Sequence, residues 1–185
     1  MLEVAWRIAR SEGLAGLSLR EVASAMGMRA PSLYSYFSSK NAIYDAMYAQ
    51  GAHEFLRVQA TLALSGDPLV DIRLCLHLFA RFCTEDPARY QLMFQRTIPG
   101  FEPSPESFAL SVRGLEGVRQ LLETSGITDP AAMDLLTAIG TGLIDQQLSN
   151  DPGGDRWLRL IDEAAEMFVT HQANRRGTEQ RRAHS

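Results

Sequence analysis

Hydrophobic positions recur at helical spacing along nearly the whole chain. In residues 2–12, Leu2, Val4, Ala5, Ile8 and Ala9 lie close to one stripe, and Gly13 ends it as a left-handed C-terminal cap would. Ser18-Leu19-Arg20-Glu21 reads as a capping box, the serine accepting a backbone N–H and the glutamate reaching back to the cap. Behind it Leu19, Val22, Ala23 and Met26 stand at i, i+3, i+4 and i+7, and Gly27 closes a short helix. Pro31 suits the first turn of a third, brief helix that reaches Phe37. Ser38 and Ser39 then cap a long fourth helix predicted over 40–64. Further helices are predicted over 69–84, 87–95, 105–125, 130–149 and 155–171. Loop chemistry separates them, including Gly66-Asp67-Pro68 and the irregular stretch 99–105. No stretch sustains period-two alternation with β-branched residues, so the predicted fold class is all-α.

Composition narrows the picture. A chain of 185 residues, 45% hydrophobic and 22% charged, is an ordinary soluble globular chain that can bury a core without disulfides or metals. Cys75 and Cys83 are too few for a disulfide framework and sit in a helical stretch, which favours a reducing, cytoplasmic setting. No apolar run approaches the roughly 20 residues of a membrane span, and the N-terminus does not read as a secretory signal. The net charge of −4 is unevenly placed: residues 1–50 sum to +1, residues 51–173 to −8 and residues 174–185 to +3. The front of the chain is the part of the folded body least hostile to a polyanion.

The three short helices in front carry the most information. Helix, tight turn at Gly27 and helix, from Ser18 to Phe37, have the size of a helix-turn-helix. Such a unit lays its second helix in a major groove about 12 Å wide. The amino-terminal end of that helix should then be small or polar, as Arg29, Ala30, Pro31, Ser32 and Ser35 are, while Leu33 and Phe37 anchor it. Tyr34 and Tyr36 can offer hydroxyls to phosphate oxygens, Ser18 heads a helix whose N–H groups suit an anion, and Lys40 can reach a phosphate.

Residues 13–47, with their glycine before a Ser-headed helix, Val22-Ala23, Gly27-Met28 at the turn, Leu33-Tyr34-x-x-Phe37 and Ser39-Lys40, resemble the DNA-binding domain of the tetracycline-repressor (TetR) family. The resemblance implies that Arg20 can reach a base edge and that Arg29, Ala30, Pro31, Ser32 and Ser35 face the groove. It also implies that Ser18, Tyr34, Tyr36 and Lys40 contact phosphates. Arg20 and Arg29 are the best candidates for reading sequence, a bidentate Arg–guanine contact contributing roughly 1–3 kcal/mol of discrimination. Two departures stand out. The chain begins almost inside its first helix, at Met1-Leu2, and Arg29 occupies a place often held by a small capping residue.

The expected organisation is a head at 1–47, a helical ligand-binding and dimerisation body at 48–173 and a basic, disordered tail at 174–185. The resemblance implies a homodimer whose heads meet a near-palindromic operator, with half-sites about 34–36 Å apart. The last two long helices would form the dimer seam. Met133, Leu136 and Gly140 on the first, and Trp157, Leu160, Ile161, Ala164 and Phe168 on the second, are its candidates. A small-molecule effector would lie among the central helices. Its candidate wall comprises Phe55, Gln59, Leu78, Phe79, Phe82 and Cys83, then Tyr90, Met93, Phe94, Phe108 and Val112, then Ile139, Leu143 and Gln146. Asp145-Gln146-Gln147 places three polar groups near the end of an apolar helix, for a ligand or for solvent.

Enzyme readings find no support. His53, His77, His171 and His184 lack metal-site spacing, Cys75 and Cys83 are eight apart, and no nucleophile elbow or phosphate-cradling glycine loop occurs. No cofactor is expected. The sequence thus points to a ligand-responsive DNA-binding regulator, a repressor by the family's default. The alternative is an all-helical small-molecule-binding dimer without sequence-specific DNA binding.

Overall fold

The computed structural model describes residues 1–183; the side chains of Ala30 and of residues 178–183 are not described. Among the described residues the regular elements are helical: α1 Leu2–Gly16, α2 Leu19–Ala25, α3 Ala30–Tyr34, α4 Lys40–Gln59, α5 Pro68–Glu85, α6 Pro87–Phe94, α7 Pro105–Thr124, α8 Pro130–Asn150 and α9 Ile161–Ala183. A 3₁₀ turn at Leu158–Leu160 leads into α9. No helix among the described residues is long and apolar enough to cross a membrane.

α3 stops at Tyr34 rather than Phe37, and α9 starts at Ile161 rather than 155, after the 3₁₀ turn. Three other boundaries differ from the sequence pattern, each for a local reason. Gly13 does not end α1. Its φ of 76° bends the chain, helix resumes to Gly16, and Leu14 and Leu17 turn inward. The fourth helix stops at Gln59 rather than Leu64. Asp71, in the first turn of α5, accepts N–H groups from Ser65 at 2.7 Å and Gly66 at 2.9 Å, which holds the residues after α4 in a loop. At the other end, α9 continues to Ala183, through most of the stretch expected as a tail. Arg175 pairs with Asp129 at 2.6 Å and Arg176 donates to Ser125 O at 3.3 Å, tying that part of the helix to its own body. Residues 184–185, His184 included, lie outside the described residues.

The chain divides into two compact units. The first comprises Met1–Arg57 and Glu85–Gly114, so it joins α1–α3 and most of α4 to α6 and the first half of α7. Its core is built on Trp6, Ile8, Leu14, Leu17, Val22, Leu33, Ile43, Tyr44 and Met47, all buried. The second comprises Val58–Thr84 and Leu115–Ser185, and its core includes Ile72, Leu76, Leu121, Leu122, Leu136, Ile144, Ile161 and Phe168.

Within the first unit, α1 packs on α6 and α2, and α2 packs on α3. The first turn of α4 closes the end of α1: Lys40 Nζ donates to Ala15 O at 2.9 Å, and the buried Tyr44 hydroxyl donates to Leu14 O. Carbonyls that a helix end leaves without partners are thereby satisfied. Asp86 caps α6 by accepting the Arg89 N–H at 3.1 Å, and its other oxygen accepts Arg10 Nε and Nη2 at 2.9 and 2.7 Å. α4 comes so close to α6 that a Cβ on Gly51 would lie 2.6 Å from Met93 Sδ.

Candidate nucleic-acid interface

The geometry of the head begins at Ser18. Its Oγ accepts the Glu21 N–H at 3.2 Å and its hydroxyl donates to Glu21 Oε2 at 2.7 Å. The glutamate therefore meets the serine hydroxyl rather than the cap's backbone N–H, a variant of the expected box. α2 ends in a Schellman motif. Gly27 has φ 66°, the Met28 N–H reaches Ala23 O at 2.9 Å, and the Gly27 N–H reaches Ser24 O at 3.0 Å. The chain reverses in a few residues, and α3 starts at once with Pro31 in its first turn.

α3 is five residues long, about 7.5 Å of helix axis, short enough to lie within a major groove. Leu33 is fully buried and Phe37 half-buried, which fixes the helix to the core. Arg29, Pro31, Ser32, Tyr34, Ser35 and Tyr36 are all exposed, the two tyrosines at 56% and 62%. Ala30 lies in α3, but its side chain is outside the described residues. Arg20, on α2, is also exposed, and neither the Arg20 nor the Arg29 side chain has a hydrogen-bond or ion-pair partner among the described residues. Two expected phosphate contacts have internal roles as well. Ser18's hydroxyl serves the cap, and Lys40 is half-buried, lying 5.3 Å from the Tyr44 ring centroid, with one ammonium donor on Ala15 O. Two further N–H donors of Lys40 remain.

The proposed ligand wall is divided between the units. Phe55, Tyr90, Met93, Phe94, Phe108 and Val112 belong to the first; Gln59, Leu78, Phe79, Phe82, Cys83, Ile139, Leu143 and Gln146 belong to the second. In the first unit a cavity of about 510 Å³ opens between α4, the end of α6, the loop after it and the start of α7. It takes in Met93, Phe94 and Phe108, together with Tyr48, Ile98 and Phe101, which periodicity did not single out. Phe94 stands edge-on to Phe55 at 6.1 Å. In the second unit Phe82 and Cys83 are buried, burial pushes the pKa of the nearby Cys75 thiol up to about 11, and Gln146 is exposed, accepting Asn150 Nδ2 at 2.7 Å. The buried member of the polar trio is Gln147. Its Oε1 accepts the Trp157 N–H at 2.9 Å and its Nε2 donates to Asp151 O, so it holds the loop before α9.

Of the dimer candidates, Leu136, Gly140, Ile161 and Phe168 are buried within the chain itself, and Met133, Trp157, Leu160 and Ala164 are half-buried. A Cβ on Gly140 would meet Leu76 Cδ2 at 3.3 Å, so this glycine serves the approach of α8 to α5 of its own unit. The faces of α8 and α9 left open carry Ala131, Leu135, Ala138, Gly142 and Met167, the last 66% exposed.

A three-helix head whose second motif helix is anchored by the buried Leu33 and exposes Pro31, Ser32 and Tyr34 defines the class: a helix-turn-helix unit leading a chain whose regular elements, among the described residues, are helical. Residues 1–47, the head, match the family model of bacterial regulatory proteins of the tetR family. A curated relative, the HTH-type transcriptional repressor DrrR1 of Streptomyces coeruleorubidus, is 32% identical over 141 residues, covering 75% of this chain and 47% of the relative. The chain thus spans about half the length of that relative. Among solved structures, the TetR family regulator PfmR from Thermus thermophilus superposes with a TM-score of 0.69 at 20% identity, over 91% of this chain and 96% of that one. The regulator FadR from Bacillus subtilis, solved with stearoyl-CoA, superposes with a TM-score of 0.65 at 14% identity, over 91% and 95%. At such identities the likeness establishes the fold.

Proposed function

We propose that the chain is a ligand-responsive transcriptional repressor that binds a near-palindromic operator as a homodimer and leaves it when a small molecule binds. The observation that carries this reading is the exposure of Arg29, Pro31, Ser32, Tyr34, Ser35 and Tyr36 around a helix pinned by Leu33, with the Arg20 and Arg29 side chains free of partners among the described residues. Arg20 and Arg29 would read base edges, Ala30 and Pro31 would give apolar contact, and Ser32 and Ser35 would face the groove. Tyr34, Tyr36 and Lys40 would hold phosphates, which set orientation and register. The repressor relative supports the direction of control, and FadR with its bound acyl-CoA supports a ligand for a body of this fold. The seam would use the open faces of α8 and α9 about Leu135, Ala138, Gly142 and Met167. Ligand control requires different affinity for two states of the dimer, about 5.5 kcal/mol to move a 1:99 population to 99:1.

Selection of random duplexes on the purified protein tests this reading. A split palindrome is the expected product. Arg20→Ala should then weaken the selected site by about 5- to 150-fold and relax preference at one position in each half-site. Retention of the site by an Arg20→Ala, Tyr34→Phe double variant would overturn the assignment. Met167→Glu should shift the sedimentation coefficient toward that of a monomer.

A further inference from the structure

The first unit holds another cleft, of about 380 Å³, where α1, α4 and α6 converge. The buried parts of its wall are fixed. Trp6 on α1 is almost wholly buried, and its indole N–H donates to Gln50 Oε1 on α4 at 2.8 Å. The buried Gly51 admits α6, since a Cβ there would meet Arg89 Cγ at 3.4 Å. The rest of the wall is charged. The guanidiniums of Arg10, Arg57 and Arg89 line it together with the carboxylates of Glu3, Glu54 and Asp86. Two of these carboxylates are spent within the protein. Asp86 caps α6 with one oxygen and takes Arg10 Nε and Nη2 on the other. Glu54 accepts Arg57 Nε on Oε2 at 2.9 Å and Arg57 Nη2 on Oε1 at 2.6 Å. That hydrogen-bonded pair, against the opposing effect of burial, holds the Glu54 carboxyl below its ordinary value.

The guanidiniums of those two pairs keep capacity to spare. Each carries five N–H donors. Arg10 and Arg57 commit Nε and Nη2, which leaves both Nη1 groups without a partner among the described residues. The exposed His53 ring adds a further nitrogen to the wall. On the acceptor side Glu3, exposed in the first turn of α1, is the one carboxylate of the wall without such a bond among the described residues. Unspent donors thus outnumber unspent acceptors. They are also oriented in advance: Arg10 is clamped on Asp86 and lies 5.8 Å from the Trp6 ring centroid, and Arg57 is held by the forked pair with Glu54. Charge-assisted N–H groups bind anionic oxygens most strongly, and a planar guanidinium matches carboxylate and phosphate oxygens. We infer that the α1–α4–α6 cleft binds a compact, multiply charged oxyanion, bearing carboxylate or phosphate groups, through Arg10 and Arg57 with His53 and Arg89 on the same wall. The three guanidinium and three carboxylate charges of the wall cancel, so affinity comes from short-range N–H contacts rather than from a long-range field. The inference is independent of the operator reading, because none of the residues that would meet DNA lines this cleft.

Titration of the full chain with pyrophosphate and, separately, with citrate tests the site, followed by the indole N–H resonances of Trp6 and Trp157. Trp6 lines the cleft, whereas Trp157 belongs to the second unit. A saturable shift of the Trp6 resonance, with that of Trp157 unmoved, is expected for at least one anion. Tighter binding of pyrophosphate identifies phosphate as the chemistry taken, and tighter binding of citrate identifies carboxylate. Arg57→Ala and, separately, Arg10→Ala should weaken binding about tenfold. Arg57 is exposed and paired only within α4, so its variant should unfold at the wild-type temperature and keeps the test independent of folding. Arg7→Ala removes an exposed positive charge from α1 outside the cleft and should leave binding unchanged. Absence of a saturable Trp6 shift with both anions, wild-type affinity in Arg57→Ala, or an equal loss in Arg7→Ala overturns the site.

Discussion

Removing the Arg10 side chain should destabilise the first unit by more than a surface ion pair does. The reason is the asymmetry of burial in the pair. Arg10's side chain is 51% exposed, whereas that of Asp86 is 7% exposed and its oxygens are shared between two jobs. One oxygen caps α6 through the Arg89 N–H; the other takes both Arg10 contacts. Exposed ion pairs contribute roughly 0.2–1 kcal/mol, while hydrogen bonds to a charged group contribute roughly 1.5–3 kcal/mol. With one partner half in water, Arg10→Ala should cost about 1.5 kcal/mol, the lower end of the second range. Asp86→Asn keeps the cap, because asparagine caps as well as aspartate, and should cost about 1 kcal/mol through the lost charge. Asp86→Ala loses the cap too and should cost about 1 kcal/mol more than Asp86→Asn. Urea unfolding of the wild type, the single variants and the Arg10→Ala, Asp86→Asn double variant forms a double-mutant cycle, with an expected coupling of about 1 kcal/mol. A cost below about 0.3 kcal/mol for Arg10→Ala would place the pair with ordinary surface bridges and refute the reasoning.

Three further outcomes follow from single residues. Gly27→Ala should cost about 1–2 kcal/mol in thermal unfolding, because its φ of 66° penalises any Cβ even though none of its neighbours would touch one; the variant should also lose duplex affinity as the turn relaxes. Gln147→Leu leaves the Trp157 N–H and the Asp151 carbonyl without their side-chain partner, and should cost about 2–3 kcal/mol by urea unfolding. Asp71 is held below the ordinary carboxylate value, first by the Ser65 N–H, then also by the Ser65 hydroxyl and the Gly66 N–H, against the opposing effect of burial. Its stabilisation is therefore present above an unfolded value of about 3.9 and is lost as pH falls through the lower folded value. The urea midpoint of Asp71→Asn should accordingly vary less with pH than that of the wild type below about pH 4; equal slopes would refute this.

The head was legible because its signals are local. Ser18, Gly27 and Pro31 act on backbone groups within a few residues, and a fully buried Leu33 beside an exposed Tyr34 follows from helical spacing. The same holds for the Asp86-Pro87 and Asp129-Pro130 starts of α6 and α8. Periodicity gave way where one segment's polar group captured another's backbone. Asp71 shortened α4, and Glu21 took the serine hydroxyl in place of a backbone N–H. In the body, apolar stripes marked which helices pack but not what they pack against. Gly140 has the small profile that a partner's helix would need, yet it admits Leu76 of its own chain.

Local order, helix count and the helix-turn-helix character of the head were therefore determined by the chain as a string, because caps, turns and periods are properties of neighbours. The assignment of each apolar face, the partner of each buried carboxylate and the gathering of Tyr48, Phe94, Phe101 and Phe108 about one cavity were decided by tertiary structure. Those residues lie up to sixty positions apart, and only packing decides whether side chains that distant in sequence come to share a wall.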